Sequence, residues 1–333
     1  MPHSDSASAQ SSSSLRLLLL CACAAMAVLL AIAMGSVTVS VHDIVTAMFT
    51  NEGAHSLHQA ILLNLRLPRA LNAFAIGGLL ALSGIYMQAL LRNPLADPFV
   101  IGTSGGAAVG ALIAMLFGMG SLAIHGSAIL GAFVATLLVF ALAHAEGSWS
   151  PTRLLLTGVV VAAGMGAIVT LLLTLGEESK LRSMLFWLMG EVNTGSPLWL
   201  WLLLAASTAG SWLLARHLNL LARGEVQAQA LGMNIRHMRI GLFIISAVLT
   251  ASVVTKAGTI GFVGLITPHL ARLLMGADHR RVVPAAVLLG GSLLTLADLI
   301  ARTAFAPRQL PVGALTALIG VPVFLSLMFA RRQ

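Results

Sequence analysis

A chain of 333 residues that is 58% hydrophobic and only 9% charged, with a mean hydropathy of +0.95, lies outside the water-soluble globular class, where roughly a quarter of residues are charged. A membrane-spanning helix needs ~20 mostly apolar residues, so about ten of them would fill a chain of this length and leave no room for a sizeable soluble domain. The net charge of +8 would suggest nucleic acid in a soluble protein, but no basic cluster interleaved with aromatics accompanies it, so no nucleic acid partner is expected and the charge is assigned to membrane topology.

Residues 1–14, rich in Ser and Ala, have the composition of a disordered tail. Arg16 and the following apolar run with Ala22, Ala24 and Ala25 resemble a secretory signal. That run extends from Leu17 to Met34, beyond the ~7 to 15 residues of a signal core, which favours a retained first helix over about 15–34. Cys21 and Cys23 sit at i, i+2 on different helix faces and are read as small apolar fillers rather than a disulfide or metal pair. Further apolar segments follow near 64–91, 97–117, 121–143, 153–175, 197–215, 238–256, 260–276, 282–300 and 311–330. None shows the alternation of a barrel strand, so residues 15–333 are expected to form one all-α transmembrane domain of about ten helices.

The third and eighth segments are interrupted. The third opens with Asn93-Pro94-Leu95-Ala96-Asp97-Pro98 and continues through Gly102, Gly105 and Gly106; the eighth carries Gly258, Gly261, Gly264 and Pro268. Proline removes a backbone donor and glycine weakens a helix, so both segments should be short, bent or partly unwound. Such a pair marks a transporter built from two inverted repeats. The glycines also suit close helix packing, and the two readings are compatible.

Basic residues accumulate on the cytoplasmic face of membrane proteins. With the N-terminus inside, twelve of the 19 Lys and Arg residues fall inside, among them Arg92, Arg216, Arg223, Arg236, Arg239, Arg331 and Arg332. An even number of spans returns the C-terminus to the cytoplasm as well.

The chain carries no fuel of its own. Its only lysines are Lys180 and Lys256, and neither stands in a GxxxxGK[ST] phosphate loop, so it is not an ATP-hydrolysing enzyme. Asp298 falls near a helix end, and no mid-span relay of carboxylates or histidines is evident, which weighs against an ion-coupled secondary transporter. The ten histidines form no HxxxH or HxH pattern, so no metal site is expected; His269, just after Pro268, is read as a partner for a freed helix carbonyl before a cargo ligand. The inner loop 216–238 holds Gly224-Glu225-Val226-Gln227-Ala228-Gln229-Ala230-Leu231-Gly232, a short helix with Glu225 at its positive end and Gly232 closing it. This helix suits either a groove on a soluble subunit or an anionic lipid surface. On the outer side Arg66, Arg69 and Arg302 stand at segment ends, suited to pairing with another protein's carboxylates or to interfacial snorkelling.

Several long motifs occur in order from about residue 60 to the C-terminus: Arg66-Leu67-Pro68-Arg69, Met87 through Pro98, Gly224-Glu225 through Leu231-Gly232, Gly261 through His269, and Leu310-Pro311-Val312-Gly313. They resemble the iron-siderophore, haem and cobalamin permeases of type II ABC importers. The resemblance implies ten helices per subunit, a homodimer with a second permease copy, two ATP-binding subunits that hold ATP and Mg, and a periplasmic substrate-binding protein, in the lipid of a bacterial inner membrane. It implies no cofactor in this chain. It assigns Arg66, Arg69 and Arg302 to binding-protein docking; Gly224, Glu225, Ala228, Leu231 and Gly232 to ATPase coupling; and Asn93, Leu95, Ser150 and Thr152 to the cytoplasmic gate. The Ser148-Trp149-Ser150-Pro151 stretch aligns less closely with the family, which leaves the second gate position open. An iron chelate leads as cargo, with haem and cobalamin as competitors. The lone Tyr86 and the small residues from Gly102 to Gly110 suit a smooth passage without a fixed site. The alternative classes are an ion-coupled secondary transporter and an intramembrane enzyme.

Overall fold

The computed structural model describes residues 3–35, 60–144 and 150–330, and all regular structure among them is helical. Twelve helices follow in order: α1 His3–Ala33, α2 Leu67–Leu91, α3 Thr103–Leu116, α4 Ser121–His144, α5 Pro151–Leu175, α6 Glu178–Met189, α7 Leu198–Ala222, α8 Glu225–Ala230, α9 Ile235–Ala257, α10 Val263–Met275, α11 His279–Thr303 and α12 Val312–Ala330. All but α6 and α8 coincide with the apolar segments of the sequence. Seven described helices are long and apolar enough to cross a membrane, while α3, α10 and α12 are shorter apolar helices.

Three boundaries depart from expectation. α1 starts at His3, inside the Ser-rich stretch read as a disordered tail, because no Gly or Pro interrupts the chain between His3 and Ala33. α7 continues to Ala222 and α9 begins at Ile235, so most of the expected loop 216–238 is helical. α6 fills what read as an outer loop, and its polar first turn of Glu178, Ser179 and Lys180 hides the apolar residues behind it.

The interrupted segments are short, as their Gly and Pro content requires. α3 has 14 residues and α10 has 13, or about 20 Å each at 1.5 Å per residue, against a ~30 Å hydrocarbon core. A 3₁₀ turn, Pro98–Ile101, precedes α3, and Gly102 between them adopts φ +75°, which a side chain would strain.

The contacts divide into two compact units. One comprises Met1–Ala81, Val192–Asn219 and Thr267–Leu310. Within it α1 packs along α11, and Ala31, Ile32, Leu62 and Ala70 form a small buried core at its C-terminal end. α2 and α11 meet backbone to backbone: a Cβ on Gly77 would lie 2.1 Å from the Gly290 carbonyl oxygen. Phe74 stacks on Trp201 with ring centroids 5.6 Å apart. A π-helical turn, Leu62–Arg66, leads into α2, and the Leu67 N–H reaches Leu62 O. Pro68 explains it, since a proline there cannot donate to the carbonyl four residues back and the turn widens upstream.

The other unit comprises Leu82–Glu191, Leu220–Ile266 and Pro311–Gln333. Here α3 lies against α4 at Gly106 and Gly131, where an added Cβ would come within 2.2 Å of a backbone oxygen. The Gly-rich third segment therefore serves both expected ends, a broken helix start at Gly102 and close packing at Gly106. Ala107, Ala111, Ala128, Ala132 and Val254 complete that core. The Ser83 hydroxyl meets those of Ser246 and Thr250 at 2.8 and 2.7 Å, so these buried hydroxyls satisfy one another.

Candidate docking and coupling sites

The first unit gathers Arg66, Arg69 and Arg302 around one carboxylate and one helix end. Arg66 closes the π-helical turn, Arg69 lies in the first turn of α2, and Arg302 lies in the last turn of α11. Arg69 Nε donates to both Asp298 oxygens at 3.1 Å and its Nη2 to Oδ1 at 3.0 Å. Arg302 Nε lies 3.4 Å from Asp298 Oδ2, an i, i+4 pair on α11. Arg302 also donates to Ala31 O, and Arg66 Nη1 to Ile32 O at 3.1 Å and Ala33 O at 2.8 Å. These carbonyls end α1, and cations suit the negative pole of a helix C-terminus.

Of the two readings of these arginines, interfacial snorkelling does not fit their burial. Arg66 is 4% exposed, Arg302 9% and Arg69 13%, and each bonds inside the unit instead of snorkelling to water. Asp298, only 1% exposed, is the acceptor that sequence reasoning passed over as a charge near a helix end. Its i+4 spacing to Arg302 was the available signal.

In the second unit the short helix expected between Gly224 and Gly232 is present as α8. Gly224 and Gly232 adopt φ of +118° and +84°, so both bracket the helix with conformations open to glycine. Glu225 accepts from Arg239 and lies 3.5 Å from Arg92 Nε. The two arginines come from the start of α9 and the end of α2, and they tie α8 down at its first residue. Ala228 is fully buried against the unit, so it anchors the helix rather than offering a contact. Val226 at 81% exposure and Leu231 at 66% are the apolar side chains that face outward.

Arg92, with φ +49°, immediately precedes the predicted gate residues. Asn93 Oδ1 accepts from Leu95 N at 2.9 Å, which leaves the Leu95 side chain exposed. Asp97 accepts from Phe99 N at 2.8 Å, and burial pushes its carboxyl up to about 6, against the lowering effect of that N–H. Ser150 caps α5 by accepting from Arg153 N at 3.1 Å, and Thr152 is exposed in its first turn. Ser148, Trp149, Arg331 and Arg332 lie outside the described residues. Among the described residues no group of three or more His, Cys, Asp or Glu side chains could hold a metal ion.

Residues 22–330 match the FecCD transport family. The chain belongs to this family. The FecCD chain is 40% identical over 310 residues to the hemin transport system permease protein HmuU of Yersinia pestis, covering 90% of this chain and 92% of that one. It is 39% identical over 274 residues to the vitamin B12 import system permease protein BtuC of Escherichia coli O9:H4 (strain HS), covering 81% and 83%. Among solved structures, an inward-facing metal-chelate type ABC transporter superposes with a TM-score of 0.83 at 33% identity, covering 96% of this chain and 99% of that one. FecCD membership and this superposition bear out the resemblance read in the motifs and the all-helical permease fold.

Proposed function

We propose that the chain is the membrane-spanning subunit of a binding-protein-dependent ABC importer that carries haem, another iron chelate or cobalamin across a bacterial inner membrane. It works as a homodimer with two separate ATPase subunits and a periplasmic binding protein, its termini in the cytoplasm and its two halves arranged as inverted repeats. Arg66, Arg69 and Arg302 form the cluster that docks the binding protein, with Arg69 as the member whose Nη1 edge reaches an exposed neighbour. Gly224, Glu225, Ala228, Leu231 and Gly232 form the element that meets the ATPase, and Asn93, Leu95, Ser150 and Thr152 line the gate.

The observation that carries this reading is α8, a six-residue helix on which Val226, and just after it Leu231, expose apolar side chains, clamped at Glu225 by Arg92 and Arg239. Exposed apolar side chains on a polar connection between two spans support a protein contact there. The clamp gives that contact a mechanical route, because Arg92 adjoins Asn93. Relatives of similar identity name different cargoes, hemin at 40% and vitamin B12 at 39%, so identity alone does not choose between them. The hemin permease matches over more of the chain, which makes haem the first cargo to test.

Reconstitution into proteoliposomes with the co-encoded ATPase and binding protein is the test. ATP-dependent uptake of haem, a ferric chelate or cobalamin is expected, with none when the ATPase is omitted. Uptake by the permease alone, or uptake driven by a proton gradient, would overturn the reading in favour of secondary transport.

A further inference from the structure

Asp298 organises the arginine cluster in a way that bears on how docking works. Its carboxylate takes Arg69 along the Nε edge, through Nε and Nη2 at 3.0 to 3.1 Å. Nη1 of Arg69 points away to the exposed Gln309 Oε1 at 3.4 Å, a contact at the weak limit of a hydrogen bond. A guanidinium is a rigid planar fork of five donors, so a carboxylate bound on one edge fixes the direction of the other. The same carboxylate holds Arg302, which donates to the end of α1. One buried acid thus sets the pose of two arginines on different helices.

Resting on the docking role proposed above, we propose that Asp298 is a positioning residue for binding-protein docking: it clamps Arg69 by its Nε edge and aims the Nη1 edge at the partner's carboxylate. Gln309 is the neutral side chain that occupies the partner carboxylate's place before docking. The opposite arrangement, in which Asp298 competes with the incoming carboxylate, makes the reverse prediction.

The test measures affinity of the detergent-solubilised full permease for its co-encoded binding protein at low and high salt. Asp298→Asn keeps the shape but removes the charge, and is expected to weaken affinity about tenfold, the scale of a charge-assisted hydrogen bond. In an Arg69→Ala background the same substitution should lose most of its effect, leaving only the part carried through Arg302, because Asp298 acts chiefly through Arg69. A loss of equal factor in that background, or affinity unchanged or tightened by Asp298→Asn alone, overturns the proposal. Gln309→Glu provides an arm free of folding defects, since the residue is exposed: a charge placed against Nη1 should block docking by about threefold at low salt and less at high salt. Wild-type affinity in Gln309→Glu at low salt counts equally against the proposal. Wild-type permease that binds no binding protein removes the importer reading and this inference together, whereas binding that Arg69→Ala weakens and Asp298→Asn does not removes the inference alone.

Discussion

Asp298 and Glu225 are each gripped by two arginines, and they differ in how far they are from water. Asp298, between Arg69 and Arg302, is 1% exposed; Glu225, between Arg92 and Arg239, is 22% exposed and its Arg92 partner 47%. The same chemistry yields different mechanics. Buried charges must stay paired, because an orphaned one bears the full cost of its desolvation. Exposed pairs exchange with water at little cost, so the Arg92 side of the Glu225 clamp can open and close within a working cycle while Arg239, 12% exposed, holds the other side. The Asp298 cluster is therefore a fixed platform and the Glu225 clamp a hinge that can yield.

The comparison breaks most readily at Asp298. Replacement by Ala leaves Arg69 and Arg302 facing each other across an empty site, and a loss of about 3 to 5 kcal/mol in stability is expected, read as a lowered unfolding temperature in detergent. An unchanged midpoint would mean that the cluster is wetter than its burial states. Asp97 sharpens the contrast as a carboxylate whose observed bond is to a backbone N–H instead of a guanidinium. Its carboxyl is raised from 3.8 to about 6, so between those values the folded protein retains a proton that the unfolded chain has released. The stability this contributes is fully present below about 3.8 and lost as pH rises through about 6. Asp97→Asn keeps the oxygen that caps Phe99 but removes the titration. The stability gap between variant and wild type should therefore shift by up to about 2 kcal/mol between pH 4 and pH 7. A gap independent of pH would show that Asp97 ionises freely.

Glu225→Gln comes next. It should cost under about 1 kcal/mol in unfolding while lowering cargo moved per ATP hydrolysed, because the clamp between α8 and Arg92 is weakened. Stability lost on the scale of Asp298→Ala would erase the distinction between platform and hinge.

How much of this was legible in the sequence depends on whether a feature is local. The apolar helices were legible because seven of the described ones are long enough for a bilayer and three shorter ones share their composition, and α8 because Gly224 and Gly232 punctuate it within nine residues. The shortness of α3 followed from Pro98 and Gly102, and that of α10 from Gly258 and Gly261 before it, whereas Pro268 lies inside α10. Arg69 and Asp298 are 229 residues apart, and no periodicity joins them. The π-helical turn that sets Arg66 was equally hidden, since Pro68 states only that a hydrogen bond is missing and not how the chain compensates. α6 was lost because a charged first turn outweighs the apolar residues behind it. The docking, coupling and gate roles were read from motif resemblance, and burial then separated Ala228, packed inside its unit, from Leu231, which is exposed.

The smallest effect on stability and the largest on function should come from the same residue. Leu231 is 66% exposed at the C-terminal end of α8, immediately before Gly232, so its side chain contributes little to the folded subunit. Leu231→Asp should leave the unfolding midpoint within about 0.5 kcal/mol of wild type, as surface substitutions usually do. On an apolar contact with the ATPase the introduced carboxylate would be desolvated without a partner, so co-purification of the ATPase and ATP-dependent uptake should both fall at least tenfold. Arg223→Ala, a larger side-chain change on the same connection, provides the comparison for general disturbance of the loop. If Leu231→Asp assembles and transports like wild type, α8 does not meet the ATPase through this side chain, and Glu225 clamps a structural turn rather than a moving one.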